Sequence, residues 1–307
     1  MATIKTVLLV GGSGFLGGWV AGQLAKRGIR VRVPTRDRKH CKWLLPPVPS
    51  AEFVQADVSD PATLLSLMQG VDAVVNLVGI LHDRDGSLPY GKGFSVAHVG
   101  VPQQLIVAMR QCGVRRAVHV SALCAAADAP SAYLRSKAAG EAVWLAARDD
   151  VDVTIFRPSV IFGANDAFLN MFAALLRVFP VLPLAGADAR FQPVFVEDVA
   201  AVMVDALERD VTFGQVYELG GPRVYTLREL VAYTAALQGR RRLIIGLPRP
   251  LAQLQATLLS LLPDPPMTPD NLRSMQLENV TDGRHNYPDW QPVALESVAP
   301  GYLGPHG

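Results

Sequence analysis

The chain has 307 residues, Lys+Arg 29 against Asp+Glu 27 for a net charge of +2, and 50% hydrophobic residues. That balance argues against a nucleic-acid binder, which needs a dense basic face, and against a disordered chain. The length suits one large α/β unit with a smaller second lobe.

In chain order, Thr6–Val10 reads as a strand, followed by helical spacing at Leu16, Val20 and Leu24. The chain thus enters its first strand and glycine loop directly, so the N-terminus is expected to be structure and not a signal peptide. Ile29–Val33 is a second strand and Glu52–Gln55 a third, with a helix beginning near Pro61. Ala73–Leu77 is a fourth strand, Ala97–Cys112 a helix, Arg116–Val120 a fifth strand, Ser131–Ala147 a helix and Val153–Phe156 a sixth strand. Alternation at this spacing implies right-handed crossovers and a parallel, doubly wound sheet, the Rossmann type of α/β fold.

The rhythm weakens after Pro158. Ala164–Ala187 reads as helix and loop, Pro193–Glu208 as strand then helix, and Val216–Leu219 as a strand. Thr226–Leu237 is a helix with Thr226 as cap and Glu229 three residues on. The expected division is a dinucleotide-binding domain over 1–158, to which 191–238 returns, and a smaller substrate lobe from 159–190 and 239–307. Cys41, Cys112 and Cys124 show no metal-ligand spacing, so no metal is expected and the thiols read as reduced, in a cytoplasmic setting. No segment reaches the ~20 apolar residues of a membrane span.

The strongest motif is Gly11-Gly12-Ser13-Gly14-Phe15-Leu16-Gly17, placed directly between a strand and a helix. Glycines there permit a tight turn, close approach to a pyrophosphate and tight helix–sheet packing, and the helix N-terminus favours an anion. The end of the second strand selects the cofactor. It reads Val33-Pro34-Thr35-Arg36-Asp37-Arg38, which places Arg36 and Arg38 for a 2′-phosphate, with Asp37 one step beyond. NADP(H) is therefore the expected cofactor and NAD(H) the alternative. A solvated charge run would read the same way.

Tyr133 and Lys137 lie four apart in a helical pattern and so share a face. A phenol of pKa ~10 is a poor acid–base group at neutral pH, and a neighbouring ammonium stabilises its phenolate. Ser121 ends the fifth strand, at the sheet edge where ligands bind, and its hydroxyl is suited to orient a carbonyl. Glu141, four residues past Lys137, offers the lysine a rival role as an ion-pair partner.

With these residues in place, the sequence resembles the short-chain dehydrogenase/reductase superfamily. The glycine loop, Asp57-Val58, Asn76-Leu77-Val78-Gly79, Ser121, Tyr133, Lys137 and Phe156-Arg157-Pro158-Ser159-Val160 fall where that family has them. The resemblance implies that Asp57 and Val58 sit near the adenine and that Leu77, Val78 and Gly79 line the cofactor. Lys137 would also hold the nicotinamide ribose, with Pro158 and Val160 beside the nicotinamide. The run from Leu247-Pro248-Arg249 through Met267-Thr268-Pro269-Asp270-Asn271-Leu272 and Gln276-Leu277-Glu278-Asn279-Val280 is similar to the atypical branch. That branch holds the nucleotide-binding accessory subunit of respiratory complex I and its bacterial relatives. It implies NADPH binding, a quinone-related substrate or respiratory-chain link, and peripheral association with a respiratory complex or the inner membrane face.

Three functions follow as expectations: an NADP(H)-dependent oxidoreductase, a non-catalytic NADPH-binding assembly or sensor protein, and a sugar-nucleotide epimerase or dehydratase. Leu251, Leu254, Leu258, Leu261 and Leu262 share one helical stripe. It is read as a helix lying over the substrate cleft, in preference to a membrane-binding face.

Overall fold

The computed structural model describes residues 3–37 and 51–304. Six strands open the chain: β1 (Thr6–Val10), β2 (Arg30–Thr35), β3 (Ala51–Gln55), β4 (Ala73–Asn76), β5 (Arg116–Val120) and β6 (Asp152–Pro158). With Val216–Leu219 they form a 7-stranded sheet in the order Val216–Leu219, β6, β5, β4, β1, β2, β3, every neighbouring pair parallel. The doubly wound α/β reading therefore holds.

The physics is plainest in β1, which is buried along its whole length. A strand covered by helices on both faces needs no polar side, so it reads as a continuous apolar run. Its residues alternate between two cores. Val7 and Leu9 join the helix Phe15–Lys26 through Val20 and Leu24, and the helix Val196–Ala206 through Val199 and Met203. Leu8 and Val10 join the opposite core of Leu64, Leu105, Met109 and Trp144.

Several boundaries differ from the sequence reading. β2 runs on through Pro34 to Thr35, although proline gives no N–H. Its register with β1 extends only from Arg30 to Arg32, so Pro34 removes no bond on that side. The helix expected from Ala97 begins at Lys92 and is widened over Ser95–Gly100 into a π-helix before Val101–Cys112. Pro102 has no N–H for the carbonyl of His98 four residues back. That carbonyl lies instead against Gly140 on the helix Ala132–Ala146, where an added Cβ would come within 2.2 Å of it.

The smaller lobe has its own core. Phe172 and Leu176 of the helix Leu169–Val178 pack with Leu230 and Val231 of the helix Leu227–Leu237. The latter starts at a full capping box between Thr226 and Glu229. Its apolar side, with Leu227, Leu230 and Val231, faces this lobe. The tail also holds regular structure. Leu243–Gly246 pairs in parallel with Val181–Leu184, and helices follow at Arg249–Leu259 and Pro269–Ser274.

The leucine stripe is a further correction. The helix Arg249–Leu259 buries Ala252 and Ala256, not its leucines. These small side chains sit with Ala185 and Met267. The stripe leucines face outward, and of this helix's leucines only Leu259 packs against the cluster.

Candidate active site

The strand order reverses between β1 and β4, and ligands of open α/β sheets bind at such a switch point. A cavity of about 890 Å³ opens there. Gly11, Ser13, Gly14, Arg36, Asp57 and Val58 line it, and Leu77, Val78 and Gly79 close its other side. Gly11 has φ +78, and a Cβ on it would meet the Leu77–Val78 peptide at 2.9 Å. At Gly17 a Cβ would come within 2.3 Å of the Gly12 carbonyl, so only glycine lets the first helix sit this close beneath the loop. Gly14 is the N-cap of that helix, and the first turn carries no acidic residue. The free N–H groups and the positive helix end are thus left for an anion. A glycine cradle, a bare helix end and a cavity of about 890 Å³ fit a dinucleotide.

Not every expected cofactor residue reaches this cavity. Leu16 packs into the first core and Gly17 lies under the loop. The Phe15 ring turns toward Gly163. Pro158 ends β6, and Val160 packs against the core of the smaller lobe, outside the cavity lining. Arg38 lies outside the described residues. Arg36 is close enough to Asp57 to help hold that carboxyl below the usual carboxylate range, after the larger effect of hydrogen bonds from the Ser59 N–H and hydroxyl.

Ser121 follows β5 and is anchored by its N–H donating to the Phe156 carbonyl at 2.7 Å. Its Oγ is buried and has no hydrogen-bond partner among the described residues. An unmet buried hydroxyl is costly unless something brought to the site completes it. Tyr133 and Lys137 sit in the first turns of the helix Ala132–Ala146. The Lys137 ammonium donates to the Val120 carbonyl at 2.7 Å, which brings it to the residue before Ser121. It also lies 3.7 Å from where a Cβ on Gly79 would be, so the lysine borders the dinucleotide cavity. Glu141 pairs with Arg157 through both oxygens, at 2.8 and 2.5 Å. The carboxylate is thereby engaged elsewhere, and the lysine is not its ion-pair partner.

Burial lowers Lys137 to about 8, with Glu141 pulling weakly the other way. Burial pushes the Tyr133 phenol up to about 12. The expected lowering by the neighbouring ammonium does not govern this phenol; desolvation does.

His98 was not anticipated. It is buried, and burial, then the Lys137 charge, drive it down to about 3. The ring is therefore neutral at ordinary pH. Nε2 accepts from the Ile80 N–H at 3.1 Å, so the proton sits on Nδ1, which donates to Ser136 Oγ at 2.7 Å. Ser136 in turn donates to the Tyr133 carbonyl at 2.7 Å. The His98 ring also stands edge-on to Tyr133, with centroids 5.8 Å apart. Asp270 was quoted only as part of a resembling run. It accepts from the N–H groups of Ala132 and Tyr133 at 2.9 and 3.0 Å, and so caps this helix from the distant lobe.

A comparison with known families decides the ancestry: residues 7–220 match the NAD dependent epimerase/dehydratase family. The chain belongs to that family. It is 34% identical over 253 residues to the NADH dehydrogenase [ubiquinone] 1 alpha subcomplex subunit 9, mitochondrial, of Arabidopsis thaliana. That match covers 80% of this chain but 61% of the plant protein. It is 33% identical over 248 residues to a ceramide reductase of Caulobacter vibrioides, covering 80% of this chain and 74% of that one. Among solved structures, the epimerase Mth375 of Methanothermobacter thermautotrophicus superposes with a TM-score of 0.70 at 19% identity, over 92% of this chain and 89% of that chain. At that identity the likeness concerns the fold alone.

Proposed function

We propose that this family member is an NADP(H)-dependent oxidoreductase acting on a carbonyl or the corresponding alcohol. The observation that carries the reading is the buried, unpartnered Ser121 hydroxyl beside a buried lysine that also borders the dinucleotide cavity. When bound, the nicotinamide supplies or accepts the hydride. Tyr133 gives the proton from its hydroxyl to the substrate oxygen, or takes it in the reverse direction. The Lys137 ammonium, one helical turn away, would offset part of the burial that opposes the phenolate, and Ser121 would donate to the same substrate oxygen. Lys137 would hold the nicotinamide ribose as well. Arg36, at the cavity wall, would take the 2′-phosphate, with NAD(H) as the weaker ligand.

The names of the plant and Caulobacter relatives support a reductase and a link to quinone or respiratory-chain metabolism, with peripheral attachment to a respiratory complex. A second reading, a non-catalytic NADPH-binding assembly or sensor protein, draws on the phenol held near 12. The family name keeps a sugar-nucleotide epimerase or dehydratase as a third.

Titration with NADPH and NADH, followed by fluorescence, is the direct test. NADPH should bind more tightly, and Arg36→Ala should weaken it by roughly ten- to a hundredfold while sparing NADH, the scale of a charge-assisted contact. Equal loss for both would remove Arg36 from the phosphate site. In a screen of carbonyls and quinones, Tyr133→Phe should lower turnover by about 10²- to 10⁴-fold with NADPH binding retained. Unchanged turnover would sink the assignment. Tight NADPH binding with no turnover on any substrate would favour the sensor reading.

A further inference from the structure

The outer side of the smaller lobe is apolar where solvent-facing polar groups are expected. Leu251, Leu254, Leu258 and Leu261 are 50%, 55%, 58% and 76% exposed. The face continues onto the paired strands, where Leu243 stands opposite Val181 and Ile245 opposite Pro183, all four exposed. Gln255 joins helix to strand by donating Nε2 to the Pro183 carbonyl at 3.0 Å, and Leu251 and Leu258 flank it on the helix. An exposed apolar patch of this extent marks an interaction surface.

Charge says what covers it. The chain as a whole is nearly balanced, but residues 230–263 hold no acidic residue and four arginines, Arg240, Arg241, Arg242 and Arg249. Residues 167–187 likewise hold no acid, only Arg177. Arg177, Arg240, Arg241 and Arg249 are exposed. A twofold pairing of this face with a second copy would bring its arginines together, and neither of these stretches supplies a carboxylate to pair them. No helix among the described residues is long and apolar enough to cross a membrane.

We propose that this face docks flat on an anionic bilayer, its leucines entering the acyl boundary and its arginines meeting lipid phosphates. Lipid supplies what the surface lacks, an apolar layer beneath a sheet of negative charge. The inference goes beyond the attachment to a respiratory complex proposed above and is independent of whether the dinucleotide site turns over.

The full chain is sedimented with vesicles of phosphatidylcholine alone and of phosphatidylcholine mixed with phosphatidylglycerol. Binding is expected only to the mixed vesicles and should fall as salt is raised. The pair Arg240→Gln and Arg241→Gln should weaken it about 25-fold, since each basic residue near such a surface contributes about fivefold. Leu254→Ser with Leu258→Ser should weaken it comparably. Both pairs are exposed, so circular dichroism and NADPH affinity should stay as in the parent, which separates this test from that of the dinucleotide site. No binding to mixed vesicles at low salt would overturn the proposal. So would binding that neither pair weakens, or a solution dimer that the leucine pair dissociates.

Discussion

His98 shows how one residue couples charge to architecture. Its ring is neutral because burial and the Lys137 ammonium oppose a second proton. The sign follows from linkage: a base bound less tightly by protons in the folded than in the unfolded state costs stability as pH falls. The loss begins as pH drops through about 6.5, the ordinary histidine value, and accumulates toward about 3. His119, fully buried and pushed the same way, adds to it. Urea unfolding at pH ~7 and ~4.5 should show a steep loss for the parent chain, and His98→Asn should make the slope shallower; identical slopes would refute the assignment. The shared helix of Tyr133 and Lys137 was legible in the sequence because a spacing of four on a helical pattern is enough to mark it. His98 was not, since a lone histidine in a helical run carries no periodic signal. Its place depends on the widened turn before Pro102 and on contacts with two other elements.

At the scale of elements, strands were legible where burial is complete. Thr6–Val10 agrees to the residue, because both faces are covered and the apolar run coincides with the strand. Arg116–Val120 also agrees, buried but for its last residue, and Val216–Leu219, at the sheet edge, agrees through its alternation of half-buried and buried residues. The helix Arg249–Leu259 was legible as a helix but not in its orientation. Hydrophobic spacing marks the leucines as the inner side, whereas Ala252 and Ala256 allow the closer approach and take that place. The reach of Asp270 to Ala132 and Tyr133 was equally invisible, at a separation of 138 residues. Its carboxylate meets two free N–H groups and the positive helix end together. Asp270→Ala should therefore cost about 1–2 kcal/mol of stability, read by urea unfolding. It should also lower turnover more than NADPH affinity, because the cap seats Tyr133 and not the glycine loop. A variant as stable as the parent would remove the cap from the account.

Across the whole molecule, the chain is sewn together by returns. Arg116 of β5 donates Nε to the Leu207 carbonyl at 3.1 Å and Nη2 to Thr154 Oγ1 at 2.7 Å, which ties the returning helix to the sheet. Asn279 accepts from the Val160 N–H at 3.1 Å and from the Ser159 hydroxyl at 2.6 Å, while its carbonyl takes the Gln192 N–H at 3.0 Å. Tyr287 donates to Asp205 at 2.7 Å and packs on Phe156. With this interlocking, sheet and smaller lobe should unfold in a single transition; calorimetry resolving two separate ones would contradict it.

The Asp270 cap also bears on how the protein is made. The helix that carries Tyr133 and Lys137 leaves the ribosome long before the carboxylate that closes its first turn. A nascent chain that has passed β5 already has its glycine loop and the walls of the dinucleotide cavity. The first turn of the Tyr133 helix stays uncapped by Asp270 until residue 270 has been synthesised. Order of synthesis thus separates completion of the cavity walls from completion of the helix that borders them.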